Sequence, residues 1–300
     1  MKLLLVDGHY YLYRSHFAIR GLTNSKGEPT NAIFGFIKAL RKMIADLGPT
    51  HAAVIWDHGL PERRTALQPE YKQNRAEMPD DLRPQEIWLE QNIALLGPAS
   101  FSVPNTEADD LIASYARAAE ALEAEIVIAT NDKDILQLVG ERIRIYSTAK
   151  ADTGADSFAL LGPAEVAAKW GVPPDRIGDV LALTGDSSDN IPGVPGVGSK
   201  TAVKLVNALG PVPGLLARAA EIEPEKLRDK ISASSALILA NREMVRLDEH
   251  LPLPVPIDQL AIRPDYPRLI EAVKACEFKS LLAEIQAEAA PRSAEQSELF

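Results

Sequence analysis

Along the 300-residue chain, apolar positions recur with two spacings. Short apolar runs lie at 3–6 (LLLV), 52–56 (AAVIW), 101–103 (FSV) and 126–130 (IVIAT). Runs of that length, bounded by turn-forming residues, predict buried strands. Between them, 32–47, 83–96 and 111–122 carry apolar residues at helical spacing. Strands alternating with helices predict an α/β fold: a mostly parallel central sheet with helices on both faces. A further strand is expected at 143–147. From residue 163 the pattern turns helical, with Gly and Pro separating segments at 164–170, 177–183, 199–209 and 232–246. The change of character near 171–176 divides the chain into 1–175 and 176–288. Residues 251–265 are proline-rich and read as extended, and 289–300 are polar and read as a flexible tail.

Composition narrows this little. An apolar fraction of 46% is ordinary for a globular protein. The single cysteine, Cys276, leaves no intramolecular disulfide and no cysteine zinc site. A reducing, cytoplasmic setting follows as the default. The opening MKLLLV stops at Asp7, too short for a signal peptide or a membrane span. The net charge of −10 argues weakly against nucleic acid, whose binding rests on Lys and Arg. Clustered acids would hide a local basic groove, so their positions matter more than their total.

Those positions are regular. Asp7 follows LLLV and Asp57 follows AAVIW. Glu107, Asp109 and Asp110 follow FSV and open a helix; Asp132 and Asp134 follow IVIAT. The carboxyl ends of parallel strands share one edge, where open α/β sheets bind ligands. Seven acids from four segments would therefore converge there, and Asp186 and Asp189 would join from the helical part. Each acid alone has an ordinary explanation. Asp7 and Asp57 adjoin glycine turns, Thr106 with Asp109 has capping-box spacing, and Asp132 suits an N-cap. Turn chemistry does not explain an acid after every strand. Two carboxylates ~4 Å apart repel by roughly 4 kcal/mol at an effective dielectric near 20, so such a cluster calls for cations. All-oxygen ligands without His or Cys suit Mg²⁺ or Mn²⁺. Two such ions are a common device for phosphodiester hydrolysis.

At this point the sequence resembles the bacterial 5′-nuclease family. That family takes in the N-terminal domain of DNA polymerase I, stand-alone 5′→3′ exonucleases and flap endonucleases. The motifs LLLVDG, YLYR, LTNSKGEPTNAIFGF, WDHG, RRTALQPEYKQNRAEMPDDLRPQ, NTEADDLIA, ATNDKDILQLV and LTGDSSDNIPGVPGVGSKTA stand in the family's order over about residues 1–289. The resemblance implies a PIN-like nuclease core, a helical arch at about 60–85 and a helix–three-turn–helix element at 185–209. It places Asp7, Asp57, Glu107 and Asp109 around one metal ion. Asp132, Asp134, Asp186 and Asp189 would hold a second, with Asp110 beside them.

In the arch, PEYKQNR puts Tyr71, Lys72 and Arg75 at helical spacing. The resemblance gives Lys72 and Arg75 the scissile phosphate, Tyr71 a base to stack on, and Arg64 a DNA contact. Arg63 stands where many relatives have an aromatic, and Asn31 where a glycine is common; both bear on substrate preference. Further on, Gly193, Gly196 and Gly198 precede Ser199 and Lys200 at a helix start, where backbone N–H groups favour anions. This loop lacks Walker spacing. The resemblance makes it a grip on duplex backbone, with a monovalent cation such as K⁺. The terminal QSELF resembles a sliding-clamp peptide through Gln296, Leu299 and Phe300. The chain is too short for a fused polymerase, which leaves a stand-alone enzyme or a fragment, and the terminal QSELF favours the former; a monomer, cytoplasmic and nucleoid-associated, is expected. It would act on DNA with a 5′ flap, a gap or a free 5′ end, in primer removal and repair. Two alternatives are weaker. One is a related RNA-cleaving fold or a Toprim-like enzyme; a Toprim site would need Glu107 and the Asp132/Asp134 pair but not Asp7, Asp57, the arch or the glycine element. A non-catalytic DNA-binding scaffold would not need the acids.

Overall fold

The computed structural model describes residues 1–147 and 158–297. Its first elements are β1 (Lys2–Asp7), α1 (Gly8–Ala18), α2 (Asn31–Leu47), β2 (His51–Trp56), α3 (Glu62–Leu67), α4 (Arg83–Asn92) and β3 (Ala99–Ser102). Then come α5 (Ala108–Glu120), β4 (Glu125–Ala129), β5 (Ile143–Ser147), β6 (Ala159–Leu161), α6 (Pro163–Trp170) and α7 (Ile177–Thr184). The remainder is helical: α8 (Ser199–Leu209), α9 (Val212–Ala217), α10 (Glu225–Ala233), α11 (Ser235–Val245), α12 (Tyr266–Ala275) and α13 (Lys279–Ser297). Among the described residues no helix is long and apolar enough to cross a membrane.

The chain packs as two compact units, neither continuous in sequence. One comprises 1–56, 78–102 and 254–300, the other 57–77 and 103–253. In the first, β1 pairs β2 and β2 pairs β3, both parallel. The apolar run of β1 is wholly buried, as a strand covered on both faces requires. Trp56 at the end of β2 stacks on Phe36 of α2 with ring centroids 5.6 Å apart. Helix α2 is fastened to α13 by Arg41–Glu284 at 2.6 Å and Lys38–Glu284 at 3.3 Å. Asn31, half of the expected departure from the family pattern, is buried and structural. Its amide donates to the carbonyls of His16 and Ile19, both at 2.9 Å, and its oxygen accepts from Gln85.

In the second unit, β4 pairs β5 in parallel and β5 pairs β6 antiparallel. The short strand β6 and helix α9 carry no pattern that sequence reading isolates. The segment expected as one helix at 232–246 is two, broken at Ser234, which ends α10 and precedes α11. Helix α13 continues to Ser297, through the stretch expected to be a flexible tail. Leu299 and Phe300 lie outside the described residues, as does the side chain of Gln296.

The arch segment also differs from expectation. Helix α3 ends at Leu67, and residues 69–75 are consecutive turns with Lys72 at φ 58°. Pro69 removes a backbone donor, and the Lys72 N–H donates instead to the carbonyl of Asp189 at 3.1 Å. Tertiary bonds override the local helical spacing.

Candidate active site

The site forms in the second unit from three loops that carry acids and one that carries cations. The first acid loop follows β2. His58 and Thr106 form a backbone bridge that brings Asp57 to the start of α5. There the Asp57 carboxylate accepts from the Ala108 N–H at 2.8 Å. The expected Thr106–Asp109 capping box is not formed: Thr106 donates to the Pro104 carbonyl at 3.2 Å. The acids of the first turn suit the helix dipole and stay at its amino end. The second loop follows β4, where Asp132 accepts from the Asp134 N–H at 2.8 Å and turns the chain into a short 3-10 helix, Asp134–Leu138.

The third is the loop from 185 to 198 between α7 and α8. Asp186 and Ile191 exchange two backbone hydrogen bonds, each 2.8 Å, which close the loop into a knot. Two glycines make the closure possible. A Cβ on Gly193 would lie 2.0 Å from the Thr184 carbonyl oxygen, and one on Gly185 (φ +69°) would lie 2.3 Å from the Gly193 nitrogen. Backbone packing alone therefore requires glycine at 193. Val194 and Val197 are buried and anchor the loop, leaving Gly196, Gly198, Ser199 and Lys200 exposed at the start of α8.

The loops bring carboxylate oxygens of Asp134, Asp186 and Asp189 within 4.8 Å of one another. Asp134 Oδ1 is buried with no hydrogen-bond partner. Burial, then the charges of Asp132, Asp186 and Asp189, push the Asp134 carboxyl well above the usual range. Burial also raises Asp132. Burial would raise Asp186 too, but hydrogen bonds from Lys133 and Ser188 hold its carboxyl below the usual range. A buried, partnerless oxygen beside two further carboxylates fits a hard divalent cation, which takes oxygen ligands only.

The cation-bearing segment lies over these acids. Arg64 is buried and grips both oxygens of Asp110, at 2.7 and 2.8 Å, while also donating to Glu107. Its Nε donates to the Met244 carbonyl at 2.9 Å, and its Nη2 to that of Arg246 at 3.1 Å. Arg64, expected as a DNA contact, is here 3% exposed, and every guanidinium N–H is bonded within the protein. Arg63 donates to the carbonyls of Glu243 and Arg246, so it anchors α3 on the end of α11. Asp110, bonded to Arg64 and to the Asp248 N–H at 2.9 Å, stands as the internal partner of that arginine.

Tyr71 is buried, and its hydroxyl donates to Glu107 at 3.1 Å and to Asp189 at 3.2 Å. Its ring is not the open stacking surface expected. Burial, followed by Glu107 and Asp189, raises its phenol further from ionisation. Lys72 donates to Glu107 and lies 3.7 Å from Asp189. Against the cost of burial, those acids raise its proton affinity, with Asp109 contributing. Arg75 reaches Asp189 at 2.6 Å while half its side chain remains exposed. Burial works to lower its pKa, but Asp189, with a smaller contribution from Asp57, holds it above the usual value. Lys133, which sequence reasoning passed over, pairs with Asp186. Its place between Asp132 and Asp134 is the only signal it gave. Asp7 belongs to the first unit, where it ends β1 and caps α1 by accepting from the Tyr10 N–H at 2.9 Å.

Residues 2–171 match the model of the 5′-3′ exonuclease N-terminal, resolvase-like domain. The chain belongs to the 5′-3′ exonuclease family. Residues 172–268 match the model of the family's C-terminal SAM fold. Its members are metal-dependent hydrolases of phosphodiester bonds. The chain is 38% identical over 288 residues to DNA polymerase I of Rhizobium leguminosarum, covering 93% of this chain and 28% of that protein. It spans about a third of the length of such relatives, 34% for the thermostable DNA polymerase I of Thermus thermophilus. The same fold is seen in the T5 5′-exonuclease with bound zinc, at TM-score 0.68 and 18% identity over 96% of this chain and 98% of that one.

Proposed function

We propose that this chain is a structure-specific 5′ nuclease that hydrolyses phosphodiester bonds at 5′ ends, gaps or 5′ flaps of DNA. The observation that carries this is the buried, unpartnered Asp134 oxygen among Asp186 and Asp189, in a chain of a metal-dependent nuclease family. Asp132, Asp134, Asp186 and Asp189 would hold one Mg²⁺. Asp57, Glu107 and Asp109 would hold a second, with Asp7 assigned to it by its motif. Bound, these ions supply an activated water and stabilise the leaving oxygen.

The chain's own residues do the rest. Lys72 and Arg75 bring positive charge to the same acids and can neutralise a phosphate that enters among them. Tyr71 and Arg64 hold Glu107 from two sides. The exposed residues Gly196, Gly198, Ser199 and Lys200 offer backbone and side-chain donors to a duplex phosphate, with K⁺ as an added cation. Functionally we divide the chain into a nuclease core at 1–175 with its arch at about 60–85, and a DNA-gripping helical part at 176–288 with the helix–three-turn–helix element at 185–209. We place it in the cytoplasm on chromosomal DNA, as a monomer, in primer removal and repair.

A 5′-flap duplex labelled at either end tests this reading. The expected result is a cut near the flap junction with Mg²⁺ and none with EDTA; cutting in EDTA contradicts it. Gln296, Leu299 and Phe300 are proposed to bind the sliding clamp as a short peptide. Deleting the last five residues should then remove clamp binding in a titration and leave flap cleavage unchanged. Unaltered clamp affinity removes this part of the proposal.

A further inference from the structure

Four hydrogen bonds tie the segment 68–75 to the loop 187–190, and none of them uses a carboxylate. The Gln68 side-chain amide donates to the Asn190 carbonyl. In return the Asn190 side-chain amide donates to the Glu70 carbonyl at 2.7 Å. The Lys72 N–H donates to the Asp189 carbonyl at 3.1 Å, and the Asn74 amide to that of Ser187 at 2.8 Å. Asn190 is in the left-handed region, at φ 60°, which asparagine tolerates better than most side chains. That conformation aims its amide and its carbonyl at the same stretch of chain.

A second set of bonds joins the same two segments through the Asp189 carboxylate, which takes Tyr71, Lys72 and Arg75. The two sets differ in what they withstand. A cation at Asp189 competes with its three side-chain partners. It does not compete for backbone carbonyls bonded to Gln68, Asn74 and Asn190. The backbone of 68–75 can thus keep its place while the Lys72 and Arg75 side chains change partner.

We propose that Asn190, with Gln68, is a positioning pair that fixes Lys72 and Arg75 beside the acid cluster independently of what the Asp189 carboxylate binds. Neither residue touches the reacting phosphate. The pair acts through the backbone of 68–75, and misplacement of a charged group by about 1 Å costs up to roughly 100-fold in rate. The inference rests on the nuclease reading and extends it to two residues that the acid pattern does not include.

The test uses the full chain with Asn190→Gly and Gln68→Ala. Glycine accepts the left-handed backbone and removes the side chain that carries the amide. Three quantities are compared with the unaltered protein: steady-state flap cleavage in Mg²⁺, Mn²⁺ affinity without DNA, and amide hydrogen exchange of 68–75. The expected result for both variants is a fall in kcat of about tenfold or more, with KM and Mn²⁺ affinity within about twofold. Exchange at 68–75 should be faster. Unchanged kcat overturns the proposal, and so does unchanged exchange. Mn²⁺ affinity that falls as far as kcat also overturns it, because the pair would then be holding the metal loop. If the unaltered protein fails to cut, the nuclease reading fails; if it cuts and the variants cut equally, only the positioning role fails.

Discussion

Asp134 shows how far one residue could be read. Its type and its place after a strand were legible in the sequence; its stranded oxygen was not, because burial depends on loops 50 or more residues away. The side chains that bond the acids were less legible still. Arg64 reaches Glu107 across 43 positions and Tyr71 reaches Asp189 across 118, and sequence gives no sign that either is buried. A buried arginine and an exposed one look alike in sequence, and Arg64 therefore read as a DNA contact. The Asp134 environment has a consequence for pH. Its carboxyl is raised, so its proton is held more tightly folded than unfolded. That stabilises the fold below the unfolded value, near 3.9. The contribution is lost as pH rises through the folded value. With EDTA present, Asp134→Asn should therefore flatten the fall of Tm as pH rises above the unfolded value. Mn²⁺ should raise Tm in the unaltered protein and much less in the variant. Parallel pH curves would count against this account of Asp134.

At the scale of elements, buried strands were the most legible. The runs at 3–6, 52–56, 126–130 and 143–147 each match a strand to within one residue at either end. They are read well because a strand covered on both faces must be apolar throughout. The turns at 69–75 were misread because helical spacing is local, whereas Asp189 and Asn190, which hold them, come from another loop. The glycine loop was half legible. Its glycines signalled a special backbone, but Gly193 serves packing while Gly198 has open space around it. Gly193→Ala should lower stability by about 1–3 kcal/mol through overpacking. Gly198→Ala, at the N-cap of α8, should cost less, about 0.5–1 kcal/mol, and weaken duplex binding. Thermal unfolding with a duplex-binding titration checks both. Equal stability loss in the two variants would refute the division of labour.

At the scale of the molecule, the fold class was legible and the packing was not. Alternating strands and helices gave an α/β core followed by helices, as the two family matches have it. Contacts group the residues otherwise: 254–300 joins 1–56 and 78–102, and 57–77 joins 103–253, which splits the arch segment at residue 78. Periodicity reports which face of an element is buried, not what buries it. Net charge misled for a related reason. The value of −10 counts acids that the site needs, and says nothing of Lys72 and Arg75 among them. Whether those acids hold a working metal ion is the central claim. It is tested most directly by Asp134→Asn with a labelled 5′-flap duplex in Mg²⁺, measuring DNA binding and cleavage on the same samples. The account predicts unchanged binding with cleavage reduced by about 100-fold or more. Cleavage at the rate of the unaltered protein would contradict it.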